Sequence, residues 1–125
     1  MTPDDIRFVI NVLRQGTVKW PGRSEALRRA RKKVLVRIGK RGQNIFKFHW
    51  QCASCREWSK NAKSVEVDHI EEIGPFNGNW DDYVRRVFCD QKNLQVLCSV
   101  CHSKKTLIYN SAASKYRRKN EMSGS

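Results

Sequence analysis

Two cysteine pairs, Cys52-x2-Cys55 and Cys98-x2-Cys101, stand with 42 residues between them. Four thiolates in tetrahedral array make a closed structural zinc site, and each pair can chelate one edge of it from a turn or a helix N-terminus. Between and beside the pairs lie Asp68-His69, inside Val65-Glu66-Val67-Asp68-His69-Ile70, and His102, directly after the last cysteine. A neutral imidazole, with a reference pKa of about 6.5, can take a proton from water near neutral pH. A carboxylate with a second imidazole can hold a divalent cation that stabilises charge on a phosphoryl oxygen. Asp68 and His69 are strand neighbours, so their side chains are expected on opposite faces; a bend at the strand end, or a substrate approaching from the side, could place both around one phosphate. The remaining histidine, His49, reads as a strand residue. The odd cysteine, Cys89, reads as a small buried side chain rather than a ligand. Using His102 as a zinc ligand in place of a cysteine would discard a better chelator.

The chain that must position these groups has 125 residues, enough for one domain with modest extensions. Its core is small enough that a structural metal would help it fold. Formal net charge is +13, which points to a polyanionic partner. The charge is uneven: residues 1–47 carry net +10, residues 48–103 net −2 and residues 104–125 net +5. Two basic flanks thus enclose a slightly acidic middle. No stretch is long and apolar enough to span a membrane, and Met1-Thr-Pro-Asp-Asp does not read as a signal peptide. A cytoplasmic, reducing location is expected, in which paired cysteines serve as metal ligands rather than disulfides.

Thr2-Pro3-Asp4-Asp5 predicts a helix start, with Ile6, Val9, Ile10 and Leu13 on one face and Gly16 at the end. Trp20-Pro21-Gly22 predicts a turn. Ser24 is expected to cap a second helix through Val34, presenting Arg28, Arg29, Arg31, Lys32 and Lys33 to nucleic-acid phosphates. Gly39-Lys-Arg-Gly42 reads as a basic turn, and residues 45–50 as a strand leading into the first cysteine pair. Trp58 is placed on a returning strand, and Val65–Ile70 on another. Asn79 should cap a helix from Trp80 to about Phe88, with Asp82 as capping-box partner. Asn93–Leu97 reads as a short strand or loop, and a helix is expected from Cys98 or Ser99 to about Lys119, before a frayed tail.

The ordered set Val-Asp-His-Ile at 67–70, Asn-Leu-Gln-Val-Leu-Cys at 93–98 and Cys-x2-Cys-His at 98–102, followed by Lys105-Thr106, resembles the HNH endonuclease family in its zinc-stapled form, over roughly residues 50–107. The Ser24–Arg31 segment also resembles small phage proteins of that family. The resemblance implies an α+β fold: a ββα-metal, treble-clef-like core with structural zinc and an N-terminal helical extension. It implies a basic extension at 1–44, a nuclease domain at 45–120 and a flexible tail at 121–125. It implies His69 as general base, Asp68 and His102 as ligands of a catalytic Mg²⁺, Mn²⁺ or other divalent transition metal, Asn93 as brace, and Lys105 as a phosphate contact. The activity it implies is metal-dependent hydrolysis of DNA, nicking or cutting with low sequence specificity. It also suggests a link to a phage genome-packaging (terminase) protein, in the host cytoplasm, as monomer or weak dimer. The alternative is a non-catalytic, zinc-supported nucleic-acid-binding module. The long 71–92 insert departs from the simplest form of the motif.

Overall fold

A computed structural model describes the backbone of residues 1–123 and the side chains of residues 1–112. The elements in chain order are α1 (Pro3–Gly16), α2 (Pro21–Ala30), β1 (Arg31–Ile38), β2 (Asn44–Gln51), β3 (Trp58–Ser59), β4 (Val65–His69), α3 (Trp80–Val87), β5 (Leu94–Cys98) and α4 (Ser99–Ser123). Short 3₁₀ turns precede α2, β4 and β5. The fold is therefore α+β, with β1-β2-β3 in one antiparallel sheet and β4-β5 in another.

Local chemistry explains most of these boundaries. Thr2 and Asp5 close a reciprocal capping box: each side chain accepts the other's backbone N–H at 3.1 Å. Asn79 caps α3 by accepting the Asp82 N–H at 3.1 Å, but the Asp82 carboxylate turns to Asn77 and Arg86 instead of back to the cap. Gly42 sits at φ +80° in the β1–β2 turn, a conformation that favours glycine.

Two expectations are corrected. The second helix starts at Pro21 with Trp20 as cap, so Ser24 lies within it; proline at the first helical position supplies a preset φ that overrides the serine. That helix ends at Ala30, and residues 31–34, expected to be helical, open β1. The basic run is indifferent to either state, while Val34, Val36 and Ile38 favour a strand that has β2 to pair with. Residues 1–44 are thus not a purely helical extension: β1 pairs with β2 across the boundary expected at residue 44. Helix α4 extends past Lys119 to Ser123, and of the tail at 121–125, Gly124 and Ser125 lie outside the described residues.

The core sits where α2 and α3 meet the β4–β5 sheet. Its buried side chains are Ala26, Val65, Tyr83, Val87, Leu94, Val96 and Leu97, with Cys52 at one end. Helix α1 joins through the Arg14 Nε–H donated to the Tyr83 hydroxyl at 3.2 Å. The 71–79 stretch is pinned to α3: Phe76 stacks on Trp80 at 4.1 Å, and Arg86 donates to the carbonyls of Ile73 and Pro75. No helix among the described residues is long and apolar enough to cross a membrane.

With so small a core, one truncation is costly. Leu97, 2% exposed, should lose about 2–5 kcal/mol of stability as Leu97→Ala, read as a lower urea midpoint.

Candidate metal centre and active site

The sulfur atoms of Cys52, Cys55, Cys98 and Cys101 all lie within 4.8 Å of one another. The knuckle that carries the first pair is built from backbone. Arg56 N–H donates to the Cys52 carbonyl at 3.0 Å, with Arg56 in the left-handed region at φ 66°. Ala53 N–H donates to the Val96 carbonyl at 2.8 Å, tying the knuckle to β5. The second pair straddles the start of α4, where the Cys101 N–H points at the Cys98 sulfur at 3.4 Å. Zinc–sulfur bonds of about 2.3 Å give a tetrahedral edge of about 3.8 Å; the Cys55 and Cys98 sulfurs are 3.9 Å apart. The four thiols fit zinc in type, number and spacing.

Their acidities show what crowding does without a cation. Burial works against a thiolate at Cys52, but backbone N–H groups at Cys98, Cys55 and Ser54 outweigh it and bring the thiol down to about 6. The neighbouring Cys98 sulfur, and then burial, push the Cys101 thiol up to about 11. Cys52 ionises readily while Cys55 and Cys101 resist, as close like charges must; a dication would remove that conflict. Cys89 stands apart from this cluster, half-buried, and burial raises its thiol.

At the far end of β4, strand register brings a second set of groups together. Asp68 lies opposite Gln95 and is 6% exposed. Its Oδ2 accepts from Gln95 Nε2 at 3.0 Å and from the Lys105 ammonium at 2.5 Å. Its Oδ1 faces His102 Nε2 at 3.7 Å. The other nitrogen of His102, Nδ1, lies 2.7 Å from Glu66 Oε2. An ionised carboxylate can only accept, so Nδ1 carries the proton, and in the neutral ring the lone pair is on Nε2. One carboxylate oxygen and one imidazole lone pair thus face each other across 3.7 Å. Two metal–ligand bonds of about 2.1 Å could span that gap. Asp68 and Glu72 flank the Lys105 ammonium and Glu66 backs His102, so three carboxylates face one lysine, a negative balance that favours a further cation. These donors fit a divalent ion.

Glu66 was missed in the sequence, although strand alternation sets it on the face of Asp68, two residues on. Lys105, expected to contact phosphate, faces inward in the structure. Its ammonium donates to Asp68 and to the carbonyls of His69 at 2.5 Å and Ile70 at 3.1 Å. Three N–H groups are then used within the protein.

His69 turns the other way, toward α3. Its Nε2 is 2.7 Å from the Val87 carbonyl, an acceptor, so Nε2 carries the proton and the lone pair lies on Nδ1. The carbonyl comes from the last turn of α3, where helix carbonyls lack an intrahelical partner. The 71–92 insert therefore supplies the group that sets the tautomer of His69. Asn93 closes the turn after β4: its Oδ1 accepts the Glu71 N–H at 2.8 Å, its Nδ2 donates to the Glu71 carbonyl, and its own carbonyl accepts the Ile70 N–H at 2.7 Å.

The basic residues expected to contact nucleic acid do not share one helix face. Arg28 pairs with Glu25 on α2, and Arg29 lines a cleft between α2 and β5. Arg31 and Lys33 lie on one face of β1 and Lys32 on the other, over the Trp58 ring at 3.9 Å. His49 lies on β2 opposite Lys32, away from both clusters.

A 58-residue stretch, 46% of the chain, is 41% identical to a protein of Lactococcus phage SK1 named "Probable HNH endonuclease". The chain spans about half, 55%, of that relative's length. No family model matches the sequence, and no solved structure matches the fold. The four clustered cysteines could hold a zinc ion.

Two outcomes are expected. Purified protein should carry stoichiometric zinc by elemental analysis, and Cys98→Ser should lose both the metal and the cooperative thermal transition; a folded, zinc-free variant would contradict the staple. Glu66→Gln should weaken divalent-ion affinity roughly 10–100-fold, the range for losing a carboxylate behind a ligating histidine, measured by calorimetric titration with Mn²⁺.

Proposed function

We propose that the chain is a metal-dependent HNH endonuclease that hydrolyses DNA phosphodiester bonds with little sequence preference. The observation that carries this reading is the pair of opposed donors, Asp68 Oδ1 and His102 Nε2, 3.7 Å apart in a pocket of net negative charge. The β4–β5 pair followed by α4 supports a ββα-metal arrangement, with residues 45–120 as the catalytic unit and the basic N-terminal residues as its grip on DNA.

In this reading each residue has one task. A divalent cation, Mg²⁺, Mn²⁺ or a similar ion, would supply positive charge at the phosphoryl and leaving oxygens. Asp68 and His102 would hold it, Glu66 keeps His102 in the required tautomer, and Lys105 with Gln95 keeps Asp68 aimed. His69 accepts the proton of the attacking water at Nδ1, while the Val87 carbonyl fixes the ring through Nε2–H. Asn93 holds the turn that sets the ring's position. The basic arms hold the polyanion, so affinity should fall steeply with salt. Phosphate contacts alone carry no sequence information. One chain offers one such centre, so cutting both strands needs two encounters or two chains.

The rival reading is a zinc-supported binder without activity. It draws on Lys105, whose ammonium already neutralises Asp68 at 2.5 Å. A plasmid-nicking assay separates the two. With added Mg²⁺ or Mn²⁺ the wild type should relax supercoiled DNA and chelator should stop it. His69→Ala should lower the rate about 10²–10⁴-fold while the thermal melt stays put. No nicking with any divalent ion, or unchanged turnover in the His69 variant, would defeat the assignment.

A further inference from the structure

The β1–β2 hairpin takes no part in either metal cluster. Residues 31–51 hold seven Lys or Arg and no Asp or Glu. Register assigns its faces: Arg31, Lys33 and Leu35 stand opposite Trp50, Phe48 and Phe46, all on one side of the sheet. The Arg31 guanidinium lies 3.9 Å from the centre of the Phe48 ring, which it covers. Lys33 is 6.0 Å from the centre of the Phe46 ring and leaves that ring open. Leu35 is 50% and Phe46 51% exposed. β1 is an edge strand, and the turn at the tip adds Lys40 and Arg41. A merely solvated strand face would be polar; this one alternates cations with aromatic and aliphatic surface. Nothing acidic in the hairpin competes for the cations.

We propose that this face is a platform for single-stranded DNA, with an unpaired base stacked on Phe46 and the backbone held by Arg31, Lys33 and the tip residues. The inference rests on the DNA reading above and adds the strand state of the substrate. Cations alone would serve a duplex, whose bases are stacked on each other and present only edges. An open ring beside cations gains a partner when base faces are free, and such stacking tolerates any sequence. The guanidinium already lying on Phe48 offers a second flat surface of the same kind.

The test measures anisotropy of a labelled oligothymidylate and of a duplex of equal length, without added Mg²⁺ or Mn²⁺. The wild type should prefer the single strand. Phe46→Ala should weaken that binding roughly tenfold and change duplex binding by less than about twofold. Phe46→Trp should retain the preference, and Phe46→Leu, apolar but without a ring face, should behave like the alanine variant. Unchanged single-strand binding in Phe46→Ala, an equal loss on both DNAs, or a leucine variant as good as tryptophan would overturn the platform. Circular dichroism melts of the three variants show that each is folded. Nicking activity separates the two readings. Phe46-dependent binding in a protein that never cleaves would keep the platform and defeat the nuclease. Cleavage with Phe46-independent binding would do the reverse.

Discussion

The structure depends on closure between two distant cysteine turns. Cys52 and Cys55 follow β2, Cys98 and Cys101 open α4, and their sulfurs converge within 4.8 Å. Four thiols so close resist joint ionisation, as the opposed acidities of Cys52 and Cys101 show. A cation at their centre would convert that repulsion into a tie between β5, the start of α4 and the turn after β2. The tie also fixes register. Cys98 pairs with Val65 at the start of β4, so clamping Cys98 determines which residue of β5 faces each residue of β4. Gln95 is thereby delivered opposite Asp68.

The same clamp aims α4. Starting beside Val65, the helix runs along β4, and three side chains spaced three apart meet three positions spaced two apart, Ser64 in the turn before β4 and Glu66 and Asp68 on it. The Ser99 hydroxyl donates to the Ser64 carbonyl at 3.1 Å, His102 meets Glu66, and Lys105 meets Asp68. The i, i+3 stripe of a helix thus runs beside the i, i+2 face of a strand. Each rung is polar, and each leaves its partner less able to turn away. The opposed donors of Asp68 and His102 result from two adjacent rungs. Each atom facing the gap is the one its own partner left free: Oδ2 of Asp68 is filled by Lys105 and Gln95, and Nδ1 of His102 by Glu66.

The parts legible in the sequence were those with local chemistry. Thr2 and Asn79 announce helix starts through their own side chains, and the cysteine pairs announce a shared ligand set through spacing. What the sequence left hidden depends on partners far along the chain. Residues 31–34 look helical because an Arg-Lys run carries no strand signal; only β2, beginning at Asn44, makes them a strand. Lys105 reads as a free cation until Asp68, 37 positions away, is folded against it. Val87 reads as a core residue and is one, yet its carbonyl governs His69. Backbone groups have no letter in the sequence, so that contact could not be read from residue types. Glu66 is different: alternation alone was enough to put it beside Asp68.

Charge placement joins the two halves of the molecule. A pocket rich in carboxylate attracts a divalent cation and, by the same field, repels a phosphodiester. That conflict cannot be relieved inside the pocket, because any further fixed cation there would compete with the metal for Asp68, as Lys105 already does on one oxygen. On the proposed function, the relief comes from cations that act on DNA at a distance from Asp68. Residues 31–51 meet that requirement, with seven cations and no acid on a hairpin that belongs to a different sheet from Asp68. Exposed charges of this kind act over roughly 8–10 Å at ordinary salt. On the proposed function, separation of the metal-holding and DNA-holding charges onto different sheets follows from that physics. It also accounts for the chain's acidic middle between basic flanks.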